Sequence, residues 1–465
     1  MKLPCSMLNR HGLVAGATGT GKTVTLQVLA EQLSKQGIAV FSADVKGDLS
    51  GLAHAGISNP KIEERLALLQ DGSIEFSPSP VAFWDLYGKK GVPLRTTVSE
   101  VGPLLFSHIL ELNDTQADVL HLLFQFGDQN GLLLLELEDL IALVHWVSEN
   151  REEFIRTFGN VAPATLSAIL RKLNVLNEAG GDKFFGEPAF RLADLLQTDF
   201  SGRGVIHLLE ATDLLQEPRL YSAFLVWLLS ELFEELEESG DKNLPKLVFF
   251  FDEAHLLFSQ GSKALIEKFE LVVRLIRSKG VGIFFVTQNP LDIPETIRAQ
   301  LGAKVLHALR AFTPKEQKAL KVLSDTFVRN PDVDPVTVIP ALRVGEALVS
   351  GLDEQGVPSP VEQTLIRPPF SQIGPISDSE RLSRVQSSPF YSAYYQPLER
   401  ESAFEVLKKR TEVLEQQKQE EAQKKKAGKG RQSVFESFIK SAVRSIGSYV
   451  GREIIRGVLG SMSRK

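Results

Sequence analysis

The chain has a single cysteine, Cys5, in 465 residues, which excludes an intrachain disulfide and fits a reducing compartment. It has no long apolar run. Leu247 to Phe251 and Ile283 to Val286 are strand-sized, far short of the ~20 residues that a membrane-crossing helix needs. Met1 to Arg10 carries no apolar core of the kind a secretory signal requires. These absences make the cytoplasm the expected location. What is present, 43% apolar and 24% charged residues, is ordinary for a globular protein. The length admits a large core with one or two smaller units.

Positive charge is scarce except at one end. The formal net charge is −6, yet from Lys424 onward there are eleven Lys or Arg against two Glu. Residues 1–423 are therefore strongly acidic, which argues against a broad nucleic-acid footprint over the whole surface but leaves room for a local basic channel.

Against that background, Gly16-Ala17-Thr18-Gly19-Thr20-Gly21-Lys22-Thr23 stands out. It fits G-x-x-x-x-G-K-[ST], in which backbone amides wrap a polyphosphate. Glycines are needed because a backbone that close to phosphate oxygens has no room for Cβ atoms and must adopt positive φ. Lys22 then reaches the β- and γ-phosphates, and the Thr23 hydroxyl holds Mg²⁺. Leu13 to Ala15 suits a buried strand before the loop, and Val24, Val28, Leu29 and Leu33 give the following segment a helical period. Strand, loop and helix are the setting the motif requires.

Further buried strands are expected at Ile38 to Phe41, Gly204 to Leu209, Leu247 to Phe251, Gly282 to Thr287 and Leu301 to Leu309. Helices are expected at Leu220 to Leu236 and Lys263 to Arg277, so strands alternate with helices in an α/β pattern with its ligand at the carboxyl ends of the strands. Between them, stretches at Val101 to Leu112, Gln116 to Gly127, Leu137 to Ser148 and Ala162 to Leu176 read as helices without phosphate-binding or metal-ligand spacing. The resulting division is a first core part at 1–93, a helical insertion at 94–200, and a second core part at 201–367. A Pro/Ser-rich strap or linker occupies 368–398, and a charged helix with a basic tail 399–465. A hairpin is expected around Asp353 to Gly356.

The chemistry narrows at Asp252-Glu253, directly after the most apolar strand. An acidic residue there can hold the Mg²⁺ shell. A second carboxylate beside it can polarise an attacking water as general base, which makes hydrolysis the expected reaction. The Gln288 amide, at the tip of another strand, can bridge the γ-phosphate and that water. Arg298 and Arg310 flank the last core strand and are the candidates for an arginine donated across a subunit interface.

These residues resemble the HerA/FtsK clade of ring-forming P-loop ATPases. The likeness runs through His11-Gly12-Leu13 and the loop, Asp44-Val45-Lys46-Gly47-Asp48-Leu49-Ser50-Gly51, and Asp252-Glu253-Ala254-His255. Thr287-Gln288-Asn289-Pro290 and His307 to Phe312 extend it, and within the clade the chain is most similar to the bacterial HerA-like YjgR-type (DUF853) group. The resemblance implies a RecA-like core, hydrolysis of ATP with Mg²⁺, and a hexameric ring acting on DNA. It assigns Lys22, Thr23, Asp252, Glu253 and Gln288 the roles above and prefers Arg310 as the finger. HerA proteins that process DNA ends carry an N-terminal β-barrel for docking a nuclease; here the loop begins at residue 16, so a nuclease partner is not expected.

The tail is the remaining signal. Phe435, Phe438, Ile439, Ala442, Val443, Ile446, Val450, Ile454 and Val458 form one apolar stripe, flanked by Lys440, Arg444, Arg452 and Arg456. Such a segment, within 429–465, suits an anionic membrane surface, nucleic-acid phosphates, or a protein face. The first of these would place the protein peripherally at the inner membrane; recruitment by the tail to a membrane or to a protein partner gives an alternative function, a nucleotide-switched scaffold.

Overall fold

The computed structural model describes residues 3–70, 74–239, 244–260, 263–310 and 313–426. The basic tail and Ala311-Phe312 of the His307 to Phe312 stretch lie outside them. The chain divides into two compact units. The first takes Met1–Leu94 and Ala189–Gln396; the second takes Arg95–Pro188 and the chain from Pro397.

The first unit is built on one ten-stranded sheet. Its strands are β1 (Gly12–Ala15), β2 (Ala39–Asp44), β3 (Val81–Asp85), β4 (Val92–Pro93), β5 (Ile206–Glu210), β6 (Leu247–Phe251), β7 (Val281–Thr287), β8 (Ala303–Leu306), β9 (Glu346–Ser350) and β10 (Glu362–Leu365). They lie in the order β10-β9-β8-β1-β7-β6-β2-β5-β3-β4. The eight strands from β8 to β4 run parallel, while β9 and β10 add an antiparallel edge. Continuous apolar sequence explains the parallel part. Every residue of β1, β2, β5, β6 and β7 is buried, as expected for strands covered on both faces by helices. This is the α/β P-loop core.

The strand ends differ from the expectations in instructive ways. The segment predicted as a strand at Leu301 to Leu309 keeps only Ala303–Leu306: single backbone bonds to β1 and the residues before it flank it, Gly302 N to Arg10 O and His307 N to Ala15 O, and the Ala308 carbonyl is then taken by Ala17 N of the phosphate loop. Val81–Asp85 and Val92–Pro93 were not anticipated, being short and bracketed by Pro and Gly. The Pro/Ser-rich stretch holds two short helices, Asp378–Ser387 and Pro389–Tyr394, each started by a serine hydroxyl cap, Ser377 and Ser388.

Residues 367–376 are bound to the helix Lys22–Lys35 that follows the phosphate loop. The Glu31 carboxylate accepts from Phe370 N and Ser371 N, each at 2.8 Å. Gln27 Nε2 donates to Ser371 Oγ at 2.6 Å and to Gln372 O at 2.8 Å. Lys35 Nζ caps the Phe370 ring at 3.0 Å. Further along, Arg381 pairs with Glu210 at the end of β5, N–O 2.8 Å, both side chains buried.

The second unit is helical: Val98–Ile109, Asp114–Gln129, Leu137–Glu149, Arg151–Phe158, Pro163–Leu176 and Ala403–Lys426. Phe126, Trp146 and Phe154 meet in its interior. Asp139 is buried and caps two segments at once, accepting from Leu135 N and Glu136 N on one oxygen and from Phe404 N on the other. No helix among the described residues is long and apolar enough to cross a membrane.

Candidate active site

The parallel register brings the carboxyl ends of β1, β7, β6 and β2 side by side. The Gly16 to Thr23 loop leaves β1, Gln288 follows β7, Asp252 and Glu253 follow β6, and Asp44 closes β2. Four separate stretches of sequence thus converge at one sheet edge.

The loop is held from below. Gly16 N reaches Thr287 O at 3.3 Å, Ala17 N reaches Ala308 O at 2.8 Å, and Gly345 N donates to Thr20 O at 3.0 Å. Gly19 and Gly21 adopt φ of +77° and +112°, which only glycine takes without strain. At Gly16 a Cβ would lie 2.5 Å from His307 Cβ and 2.8 Å from Thr20 Oγ1, so no larger residue fits. His307 supports the following helix: its Nδ1–H donates to Glu346 O at 3.0 Å and its Nε2 accepts from Thr25 Oγ1 at 2.8 Å. Burial lowers its pKa to about 4, so this neutral tautomer persists at neutral pH.

Lys22 is buried and folds over the loop, donating to Gly16 O at 2.7 Å and Ala17 O at 3.0 Å. Burial and the charge of Lys46 lower its pKa, against the pull of Glu253 and Asp252. Thr23, half-buried, stands in the first helical turn, where backbone N–H groups lack intrahelical acceptors. A loop of positive-φ glycines leading into a helix N-terminus and crossed by an ammonium is an anion nest of the size of a phosphate chain.

Opposite the loop, burial raises the Asp252 pKa to about 6; Glu253 and Asp48 add to the rise and Lys46 opposes it. A carboxylate so placed is one that a cation would stabilise in its charged form, and it and the Thr23 hydroxyl are the oxygen donors that could hold Mg²⁺. Glu253 behaves differently. Burial disfavours its charge, but hydrogen bonds from Lys46 and Gln288 outweigh that and hold its carboxyl below the usual range. Lys46 Nζ lies 2.6 Å from Glu253 Oε1, and His255 Nδ1 lies 3.3 Å from Oε2. Gln288 Nε2 donates to Oε1 at 3.1 Å, while the Gln288 carbonyl accepts from Thr18 Oγ1 at 3.1 Å. Loop, amide and carboxylate are therefore one chain of hydrogen bonds. Glu253 also has φ of +48°, a conformation uncommon for a non-glycine residue and found most often where function demands it.

Asp44 extends the acidic group. Its Oδ1 accepts from Gly47 N at 2.8 Å and its Oδ2 from Leu49 N at 3.1 Å, which folds the Asp44 to Ser50 turn back over the strand end. Burial, reinforced by Asp48, pushes its pKa up to about 7.

Lys22, Asp252, Glu253 and Gln288 are thus brought together with the loop. The two arginines are not. Arg298 ends the short Glu295–Arg298 turn and Arg310 is exposed beyond β8. Among the described residues neither is hydrogen-bonded or ion-paired to Lys22, Asp252, Glu253 or Gln288. Sequence reasoning assigned no role to Lys46. Its signals are its place within the Asp44 to Gly51 motif of the resemblance and its position two residues after Asp44, at the carboxyl end of a buried strand.

Comparison with known proteins agrees with this architecture. Bacterial conjugative coupling protein TrwB, lacking its first 70 residues, superposes with a TM-score of 0.54 at 16% identity over 81% of this chain and 88% of that one. TrwB in complex with ADP and Mg²⁺ superposes with a TM-score of 0.51 at 16% identity, over 78% of this chain and 88% of that one. In sequence, the chain is 22% identical over 357 residues to the DNA double-strand break repair helicase HerA of Sulfolobus acidocaldarius, covering 76% of this chain and 64% of that protein. The HerA of Saccharolobus solfataricus is 23% identical over 366 residues, 76% of this chain and 63% of that one. The chain thus spans a little under two thirds of the length of these relatives. The model of the helicase HerA-like C-terminal family matches residues 1–465. With the P-loop core and the convergent acidic site, that match over the whole chain shows that it belongs to the HerA-like helicase C-terminal family, within the HerA/FtsK clade of P-loop ATPases.

Proposed function

We propose that this chain hydrolyses ATP with Mg²⁺ and works as a hexameric motor that translocates on or remodels DNA. The observation that carries the hydrolytic part is the hydrogen-bonded line from Thr18 through Gln288 to Glu253, which joins the phosphate nest to a carboxylate placed as a general base. The relatives named as DNA repair helicases, and the TrwB complexes with ADPNP and with ADP and Mg²⁺, support the same reading for the substrate and the cation.

In this reading the loop amides and Lys22 bind the β- and γ-phosphates and fix the nucleotide. Thr23 and Asp252 hold Mg²⁺, which when bound neutralises charge on the phosphate oxygens. Glu253 orients a water and accepts its proton through a carboxylate oxygen. Gln288 keeps that carboxylate aimed and couples it to Thr18. Arg310, or Arg298, supplies positive charge from a neighbouring subunit, in keeping with neither being hydrogen-bonded or ion-paired to Lys22, Asp252, Glu253 or Gln288 among the described residues.

The test is Glu253→Gln. It should lower the hydrolysis rate ~10²–10⁴-fold, the contribution typical of a positioned general base, while equilibrium binding of ATP persists. Normal turnover in that variant removes Glu253 from the role. Stimulation of hydrolysis by DNA that weakens with salt tests the motor; no response to any nucleic acid at low salt refutes it. The basic stripe within 429–465 favours a second reading, a nucleotide-switched scaffold. Flotation on anionic vesicles that is lost when the chain ends at Gln423, with no effect of DNA on hydrolysis, selects that reading.

A further inference from the structure

Lys46 is placed with more care than a surface lysine needs. The Asp44 carboxylate, two residues before it, ties down Gly47 N and Leu49 N just after it, and Gly47 takes φ of +74° to close the turn. The ammonium then meets Glu253 Oε1 at 2.6 Å, with the Lys46 side chain 39% exposed and that of Glu253 only 6%. Glu253 Oε1 has little capacity left. Gln288 Nε2 donates to Oε1 and approaches Oε2 at 3.4 Å, and His255 Nδ1 stands at 3.3 Å from Oε2. With two close donors already on Oε1, that oxygen receives a water in good geometry only when one of them withdraws.

Lys46 is the donor built to withdraw. Its stem is flexible and part of it reaches solvent, whereas Gln288 is fixed by Thr18 as well as by Glu253. It also shares its field with Lys22, whose ammonium it disfavours. Two ammonium groups directed at one site are stabilised together by an anion of high charge between them. A nucleoside triphosphate in the loop would supply that anion, and a diphosphate would present one phosphate fewer toward Lys46.

We propose that Lys46 discriminates triphosphate from diphosphate by exchanging the Glu253 carboxylate for the terminal phosphate, so that Glu253 is released to orient water only when that phosphate is present. This rests on the phosphate-binding reading of the loop. Lys46 is then a specificity residue toward the substrate and a positioning residue toward Glu253.

The experiment measures equilibrium affinity of the full chain, with Mg²⁺, for a non-hydrolysable ATP analogue and for ADP, by calorimetry. Lys46→Met should weaken the triphosphate ~10-fold, the scale of one lost charge-assisted hydrogen bond, and ADP less than ~2-fold. Lys46→Arg should restore part of the difference. Glu253→Gln frees Lys46 from its carboxylate and should tighten the triphosphate several-fold. That gain should vanish in the Lys46→Met/Glu253→Gln double variant, because the two effects run through one contact. Circular dichroism checks that each variant is folded, and a half-exposed lysine makes Lys46→Met a mild change. Equal weakening of both nucleotides, no change in either, or a gain that survives in the double variant overturns the exchange. A wild-type chain that binds neither nucleotide overturns the phosphate-loop reading itself, before Lys46 is in question.

Discussion

His11 offers a prediction whose size can be worked from the structure. It sits just before β1, buried, with φ of +57°. Both ring nitrogens are used: Nε2–H donates to Val273 O at 2.9 Å and Nδ1 accepts from Ile283 N at 3.0 Å. A proton on Nδ1 would break the second bond and place a charge in the interior. Burial is the main cause that lowers the His11 pKa from 6.5 to about 4; the Val273 carbonyl opposes it and Arg277 adds to it. The folded pKa is thus depressed, so the unfolded chain takes up the proton first. Stability is full above pH 6.5 and is lost as pH falls toward 4. With those two values the loss by pH 4.5 is about 2.5 kcal/mol. Asp44 and Asp252, with pKa values raised to about 7 and about 6, act in the opposite sense and gain stability as pH falls. They are common to wild type and variant and cancel in the comparison. The perturbation is His11→Asn, since asparagine tolerates positive φ and does not titrate. Urea unfolding at pH 8 and pH 4.5 should show the wild type losing about 2.5 kcal/mol more than the variant between the two pH values. Equal losses, to within about 0.5 kcal/mol, would mean that His11 is not held neutral in the folded protein.

Two further predictions concern the segment beyond the sheet and the site itself. Arg381→Ala removes the partner of buried Glu210, the Nε–H bond to Lys90 O at 2.8 Å and the stacking on Phe83. It should cost about 3–5 kcal/mol in urea unfolding, part of it recovered by adding Glu210→Gln; an unchanged midpoint would show that the pair contributes nothing. Gln288→Ala cuts the line between Thr18 and Glu253. It should lower kcat about 10–100-fold with little change in ATP affinity, whereas a loss confined to affinity would make Gln288 a binding residue only.

Much of the fold was legible because burial on both faces leaves a plain mark. Leu247 to Phe251 carries no polar atom in its side chains, and all five residues are buried at β6. The long helices Pro218–Glu235 and Lys263–Ile276 followed from their period. Val81–Asp85 escaped notice because a short strand near the sheet edge mixes Trp84 and Asp85 with its apolar residues, and its pairing with β5 comes from residues more than a hundred positions away. The Pro/Ser-rich stretch reads as either a strap or a linker because its anchoring lies in partners that sequence does not show, Glu31, Gln27 and Glu210.

The sequence by itself determined the chemistry of this protein: a glycine-rich loop closed by Lys22 and Thr23, and a paired Asp252-Glu253 after a buried strand, need only local spacing to be recognised. Tertiary structure decided which of those groups are free to act. That Glu253 is engaged by Lys46, 207 positions earlier in the chain, and by Gln288, 35 positions later, depends on parallel strands β2, β6 and β7 lying side by side. Coulomb and hydrogen-bond energies fall off over a few ångströms. Only the register of the sheet brings those side chains within that range.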